Sequence, residues 1–269
     1  MLELINKVKE INPLVLHYTN EVTINDCANI TLALGASPLM SYSNEEVEEV
    51  VSIASSVVIN IGTMNSNRLD LFLQAGKAAN KFNKPVILDP VGVFATKTRT
   101  DFTNKLLNKI KFDVVKGNVA EIKFIGGLDV RGQGVDSFDD GEDISEVIKK
   151  VAKKLGCIVV ATGKVDFISD GNTVIKIFNG TSKLKSVTGT GCMTGSLIGS
   201  YLGAYNSLEG RERDNFKKVE VVAMGVLTMA VSGELADKDN IAIGTFKEEL
   251  MNNVYKMNSK KLKEYGRCE

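Results

Sequence analysis

From residue 57 onward the chain alternates short unbroken apolar runs with polar or glycine turns and helix-like stretches. V-V-I-N-I-G-T-M (57–64) precedes a helix over 66–82, and P-V-I-L-D-P-V-G (85–92) precedes one near 99–109. F-D-V-V-K-G-N (112–118) leads into V-A-E-I-K-F-I, and a helix over 142–155 leads into C-I-V-V-A-T-G (157–163). Apolar runs without alternation are what strands buried on both faces look like, and intervening helices imply right-handed parallel crossovers. Upstream, the pattern predicts a helix over 1–10, a strand L-V-L-H-Y closing at Thr19-Asn20, and a buried helix opened by Asn25, Asp26 and Asn29 and stopped by Gly35. A-S-P-L-M then forms a loop or short strand ending at Met40, and an amphipathic helix over 44–55 takes Asn44 as its cap. Downstream, Asp170-Gly171-Asn172 is a hairpin signal, so an antiparallel edge extends the sheet. Helices follow over 191–205, 216–236 and 245–257; the polar segment 126–141 reads as a surface loop and the lysine-rich tail after Lys256 as a solvated end. The expectation is an α/β protein with a central, mostly parallel sheet, helices on both faces and a small antiparallel edge.

Composition narrows this little. No linker divides the 269 residues, so a single domain over 1–269 is expected. Hydrophobic residues make up 43% and charged residues 25%, which excludes disorder. Thirty-three basic and thirty-three acidic residues cancel with no long basic block, which argues against nucleic acid or an anionic membrane as partner and for small molecules or protein. The mixed charges of M-L-E-L-I-N-K-V-K-E do not fit a signal peptide, and no uninterrupted apolar run reaches the roughly 18 residues of a membrane span. A cytoplasmic protein is expected. Four cysteines without C-x-x-C spacing and one histidine, His17, exclude a His-based zinc site and disfavour a Cys–His nucleophile pair; His17 reads as a hydrogen-bonded core or cleft residue.

The candidate chemistry centres on S-V-T-G-T-G-C-M-T-G-S-L-I-G-S-Y (Ser186–Tyr201). Gly189, Gly191 and Gly195 break regular structure before an apolar helix, so successive N–H groups and the helix start can face one anion, with Cys192 at that point. Close helix packing is the competing explanation for the same glycines. In parallel sheets, ligands bind beyond the carboxyl ends of the strands, and polar residues gather there: Gly62 and Thr63, Asp89, Lys116 with Gly117 and Asn118, and Thr162 with Gly163. Glu121, three residues after Asn118, satisfies a helix cap and presents a carboxylate to the same crevice. Singly, these are a turn, a cap and a solvated end. Together they suit phosphoryl transfer: two carboxylates for a hard divalent cation, a lysine for the moving phosphate and N–H groups for its charge. There is no G-x-x-x-x-G-K-[ST], and G-T-G-C-M-T-G lacks the dinucleotide spacing.

Five stretches in order resemble the hydroxyethylthiazole kinase family of the ribokinase-like fold: 19–40, I-L-D-P-V-G (87–92), K-G-N-V-A-E-I (116–122), A-T-G-K-V-D (161–166) and V-T-G-T-G-C-M-T-G (187–195). The resemblance implies ATP- and Mg2+-dependent phosphorylation of 4-methyl-5-(2-hydroxyethyl)thiazole, a salvage step toward thiamine, in a homotrimer with sites between subunits and the 19–40 segment as a shared wall. It places Met40 and Gly189 against the thiazole, Lys116 and Thr162 against the nucleotide, Asp89 and Glu121 at the magnesium, and Cys192 where related kinases carry an aspartate base. Asn25 completes the substrate candidates, and Asn118 and Gly191 the ATP candidates. Lys116 departs from the family's usual arginine, keeping the charge without the bidentate fork. For Cys192, the helix start lowers the thiol pKa while neighbouring phosphates raise it; the expected role is to orient the substrate hydroxyl and accept its proton late. Competing readings are a hydroxymethylpyrimidine or pyridoxal kinase, a non-catalytic nucleotide-binding regulator on the same fold, and cysteine-based acyl transfer.

Overall fold

The computed structural model describes residues 1–128 and 143–269. Its strands are β1 (Leu14–Tyr18), β2 (Ser37–Met40), β3 (Ser56–Asn60), β4 (Val86–Asp89), β5 (Val114–Asn118), β6 (Ile158–Thr162), β7 (Asp166–Ser169) and β8 (Val174–Ile177). They form one sheet in the order β2-β1-β3-β4-β5-β6-β7-β8. Neighbours from β2 through β6 run parallel, and β7 and β8 add the antiparallel edge expected from Asp170-Gly171-Asn172. A-S-P-L-M resolves as a strand, paired with β1 so that Met40 lies opposite His17.

The helices are α1 (Leu4–Ile11), α2 (Ile24–Leu34), α3 (Val47–Ile53), α4 (Ser66–Lys81), α5 (Lys97–Lys109), α6 (Val119–Gly126), α7 (Ile144–Leu155), α8 (Thr190–Asn206), α9 (Gly210–Asp214), α10 (Lys218–Ala236), α11 (Ile243–Tyr255) and α12 (Ser259–Tyr265). Successive residues of a strand point to opposite faces, and here both faces are covered. Val58, Val114 and Val160 pack with α1, α2, α8, α10 and α11, whereas Val57, Val115 and Val159 pack with α3 to α7. Helix α10 is long and apolar enough to cross a membrane by composition, but it is mostly buried, packed along α8. The two approach closely enough that a Cβ on Gly225 would lie 2.7 Å from the Ile198 nitrogen. Gly199 and Gly203 similarly let α8 lie against Val58, Val15 and Ser56 of the sheet and against Pro13.

Three expectations change. Helix α3 starts at Val47 with Glu46 at its cap position and no side-chain cap bond, so Asn44 does not cap it; Ser41 instead donates to Glu46. The predicted 216–236 helix starts at Lys218, after the separate short α9. The tail is not simply a solvated end: α12 buries Leu262, and Glu269 exchanges two backbone hydrogen bonds with Lys176, covering β8. The loop expected over 126–141 lies outside the described residues from position 129 on.

His17 is fully buried, with Nδ1 3.0 Å from the Val15 carbonyl and Nε2 3.0 Å from Ser196 Oγ. Nδ1 therefore carries the proton, and Nε2 accepts from the serine. Burial pushes its pKa down to about 4. The unfolded chain, with an ordinary histidine near 6.5, binds more protons between these values, so the contribution is full above pH 6.5 and is lost as pH falls toward 4. We expect the single imidazole resonance to titrate near pH 4 by NMR. Urea unfolding at pH 7 and 4.5 should show wild type losing about 2 kcal/mol more than His17→Gln over that interval. A midpoint above 6 contradicts the buried neutral imidazole.

Candidate active site

The sheet register assembles the site. Asn60 ends β3 opposite Asp89 at the end of β4, and Asn118 ends β5 opposite Thr162 at the end of β6. Lys116, two residues before the end of β5, sends its ammonium to Asp89 Oδ2 at 3.5 Å and to the Gly191 carbonyl at 3.0 Å, with both charged side chains almost wholly buried. Glu121 closes a capping box with Asn118: its Oε2 accepts from the Asn118 backbone at 2.8 Å, and Asn118 Oδ1 accepts from the Glu121 backbone at 2.8 Å. Its Oε1 accepts from the Gly92 backbone, also at 2.8 Å. Glu121 is thus both the cap and the crevice carboxylate.

Two buried carboxylates face one lysine. Burial pushes the Asp89 carboxyl up, against the pull of Lys116 and Asn60; burial first, and Asp89 second, push Glu121 up. For Lys116, burial favours the neutral amine, but the carboxylates, Asp89 before Glu121, outweigh it and hold the ammonium above its ordinary range. One further cation would balance the pair. Among the described residues no three candidate ligands gather, so a metal here would take these two carboxylates and fill its shell with water or phosphate oxygens, as a hard octahedral cation such as Mg2+ does. Asn60 and Lys116 both approach Asp89 at Oδ2 and each Glu121 oxygen bonds one backbone N–H, so acceptor capacity remains on both groups.

The glycine loop closes the crevice from the side of α8. Gly189 sits at the helix cap with φ +92°, where a Cβ would meet Thr23 Cγ2 at 2.6 Å, and a Cβ on Gly191 would lie 3.1 Å from the Lys116 ammonium. Gly195, by contrast, has room. Cys192 Sγ accepts from two side-chain amides, Asn20 and Asn60, each at 3.3 Å. Burial first, and Asp89 second, push its thiol up, against Lys116, Thr23 and Asn20. Burial and Asp89, neither of them weighed from the sequence, thus favour the neutral thiol.

Asp89, Glu121, Lys116, Asn118, Thr162, Gly189, Gly191 and Cys192 therefore gather at the carboxyl ends of the strands, Thr162 turning its hydroxyl to the Gly117 carbonyl at 3.3 Å. Asn25 does not join them: it is exposed on α2 and accepts from Asn29. Met40 stands at the end of the edge strand, beside His17. Sequence reasoning missed Asn20, Asn60, Arg99 and Asp166. Arg99 donates to the carbonyls of Ile61, Gly62 and Val91, tying the loops after β3 and β4. Asp166 accepts from the Gly163 backbone at 2.9 Å, and burial pushes it up to about 7. Asn20 and Asn60 end apolar runs as Asp89 does, and that shared signal could have found them.

An open, mostly parallel sheet with carboxylates, a lysine and a glycine-rich helix start at its strand ends defines an α/β small-molecule kinase of ribokinase-like fold. A staphylococcal pyridoxal kinase solved with AMP-PCP and pyridoxal shares this fold, with TM-score 0.62 at 14% identity over 96% of this chain and 98% of that one. The hydroxyethylthiazole kinase family model matches residues 5–260, and the chain belongs to that family of phosphotransferases acting on an alcohol group. A relative named hydroxyethylthiazole kinase from Clostridioides difficile is 65% identical over 257 residues, covering 96% of this chain and 94% of the relative. Another, from Alkaliphilus oremlandii, is 44% identical over 98% and 96% of the two chains. The solved hydroxyethylthiazole kinase of Pyrococcus horikoshii superposes with TM-score 0.85 at 32% identity, over 100% of this chain and 97% of that one.

The glycines separate by substitution. Gly189→Ala combines a left-handed backbone with a clash on Thr23 and should cost about 1–3 kcal/mol by urea titration, part of it recovered by Thr23→Ser. Gly195→Ala should be neutral, or stabilising by up to about 1 kcal/mol, because α8 there has a helical backbone and space. Equal losses at both positions contradict the assignment of Gly189 to the site.

Proposed function

We propose that the chain, as one kinase domain working in the cytoplasm, transfers the terminal phosphoryl group of ATP to the hydroxyl of 4-methyl-5-(2-hydroxyethyl)thiazole, a salvage step toward thiamine. Family membership supports the substrate. The observation that carries the chemistry is the Lys116 ammonium held between Asp89 and the Gly191 carbonyl, which puts a fixed cation where carboxylates and loop meet. Asp89 and Glu121 would hold Mg2+, which supplies charge neutralisation on the phosphates when bound. The N–H groups of Gly189 to Cys192 and the Lys116 ammonium take up charge on the transferring group. Thr162 and Asn118 flank the nucleotide at the adjoining strand ends. Gly189 and Met40 contact the thiazole, Met40 across a subunit boundary in a homotrimer, and Asn25 lies on that boundary.

Cys192 orients the substrate hydroxyl. Accepting the proton would need the thiolate, which burial and Asp89 disfavour. In a loose transition state the attacking oxygen needs little early deprotonation, so a neutral thiol that holds the hydroxyl in line suffices.

A coupled assay with ATP, Mg2+ and hydroxyethylthiazole should show turnover exceeding that with pyridoxal or hydroxymethylpyrimidine. Asp89→Asn should lower kcat/KM by about 100-fold or more, Cys192→Ala should lower kcat by about tenfold or more and retain activity, and Cys192→Asp should retain more. Preference for another alcohol moves the substrate assignment; ATP binding without any alcohol-dependent turnover overturns the enzyme reading; unchanged turnover in Cys192→Ala removes that residue's role.

A further inference from the structure

The two asparagines beside Cys192 belong to no part of the mechanism so far. Asn60 Nδ2 donates to Asp89 Oδ2 at 3.0 Å and to Cys192 Sγ at 3.3 Å; Asn20 Nδ2 donates to Asn60 Oδ1 at 2.9 Å and to the same sulfur at 3.3 Å. Their amide orientations are fixed from behind. Asn60 Oδ1 accepts the Gly62 backbone N–H at 2.9 Å, and Asn20 Oδ1 accepts the backbone N–H and the hydroxyl of Thr23, each at 3.1 Å. An amide whose oxygen is tied to a backbone donor has one way to point its nitrogen. Both nitrogens point at sulfur.

Both side chains are almost wholly buried, so each bond stands in place of one to water and its loss leaves a polar group unpaired. A buried cysteine filling space needs no such pair of donors, since a thiol packs as a small hydrophobe. The donors also come from separate elements, the β1–α2 loop and the end of β3, so the sulfur is located against two fixed points of the sheet rather than by α8 alone. Through Asn60 one of these points is also the partner of Asp89. Gly62 keeps the contact tight, because a Cβ there would come within 2.9 Å of the Asn20 side chain.

We propose that Asn20 and Asn60 are positioning residues for Cys192: a pair of anchored amides that fill the sulfur's acceptor sites, turn its S–H away from the strand ends, and fix its distance from Asp89. The assignment rests on the reading of Cys192 as the group that orients the alcohol. Asn20 acts through the sulfur, and Asn60 acts through both the sulfur and the carboxylate.

The test is a cycle of Asn20 and Cys192 variants in the kinase assay, with the S–H stretch of Cys192 isolated by Raman difference against Cys192→Ala. Asn20→Ser is made beside Asn20→Ala, because a serine oxygen still reaches the Thr23 N–H but not the sulfur. In the native background both substitutions should lower kcat about tenfold with the ATP KM within about twofold, and both should shift the Cys192 S–H band. In the Cys192→Ala background the same substitutions should change kcat by less than about twofold. Equal losses in both backgrounds, or an unmoved S–H band, overturn the proposal. Absence of alcohol-dependent turnover in wild type would instead remove the kinase reading on which it rests.

Discussion

The buried ammonium of Lys116 is the interaction on which the site depends. A charge taken out of water is costly unless partners surround it, and removing one partner of such a pair commonly costs about 3–5 kcal/mol. Here the partners come from two parts of the fold: Asp89 from the neighbouring strand and the Gly191 carbonyl from the first turn of α8. The ion pair therefore holds the glycine loop over the strand ends before any nucleotide arrives. A Cβ at position 191 would lie 3.1 Å from this ammonium. A compact ammonium serves these two acceptors at an angle, whereas a guanidinium would present a planar fork.

Helix α8 serves two masters along its length. Its first turn supplies the loop, and its middle supplies close contact with the sheet through Gly199 and Gly203. Close packing accounts for Gly199 and Gly203, whereas Gly189 and Gly191 stand at the helix start against Thr23 and Lys116. Because the same helix packs along α10, the position of the loop is set by buried contacts well away from the crevice. A rigid helix start on a packed core suits a reaction in which positioning and fixed charge do most of the catalysis.

The fold was legible because buried parallel strands leave unbroken apolar runs, and the polar residue that ends each run marks the crevice. Glu121 was legible twice, as cap and as carboxylate, and it is both. What the chain hid were relations between distant residues. Asn20 and Asn60 are forty positions apart and meet only because β1 and β3 are neighbours in the sheet; no local pattern records that. Asn25 shows the converse, a polar residue in a matching stretch that the helix turns outward while Asn20 and Thr23 face inward. Asn44 was a plausible cap that the chain does not use, and the tail's lysines concealed the apolar side that Leu262 buries. In each case tertiary packing, which no local pattern records, decided how the residue is used.

The character of position 192 follows from its surroundings. Asp89 and Glu121 already exceed the charge of Lys116, and Asp89 pushes the neighbouring thiol toward its neutral form. A third carboxylate would add to this excess whenever no cation is bound, while a thiol adds nothing. Two amide N–H groups aimed at one acceptor would serve a carboxylate oxygen as well as a sulfur. The surroundings of position 192 therefore favour an acceptor, and the neutral thiol is an acceptor that adds no charge beside Asp89.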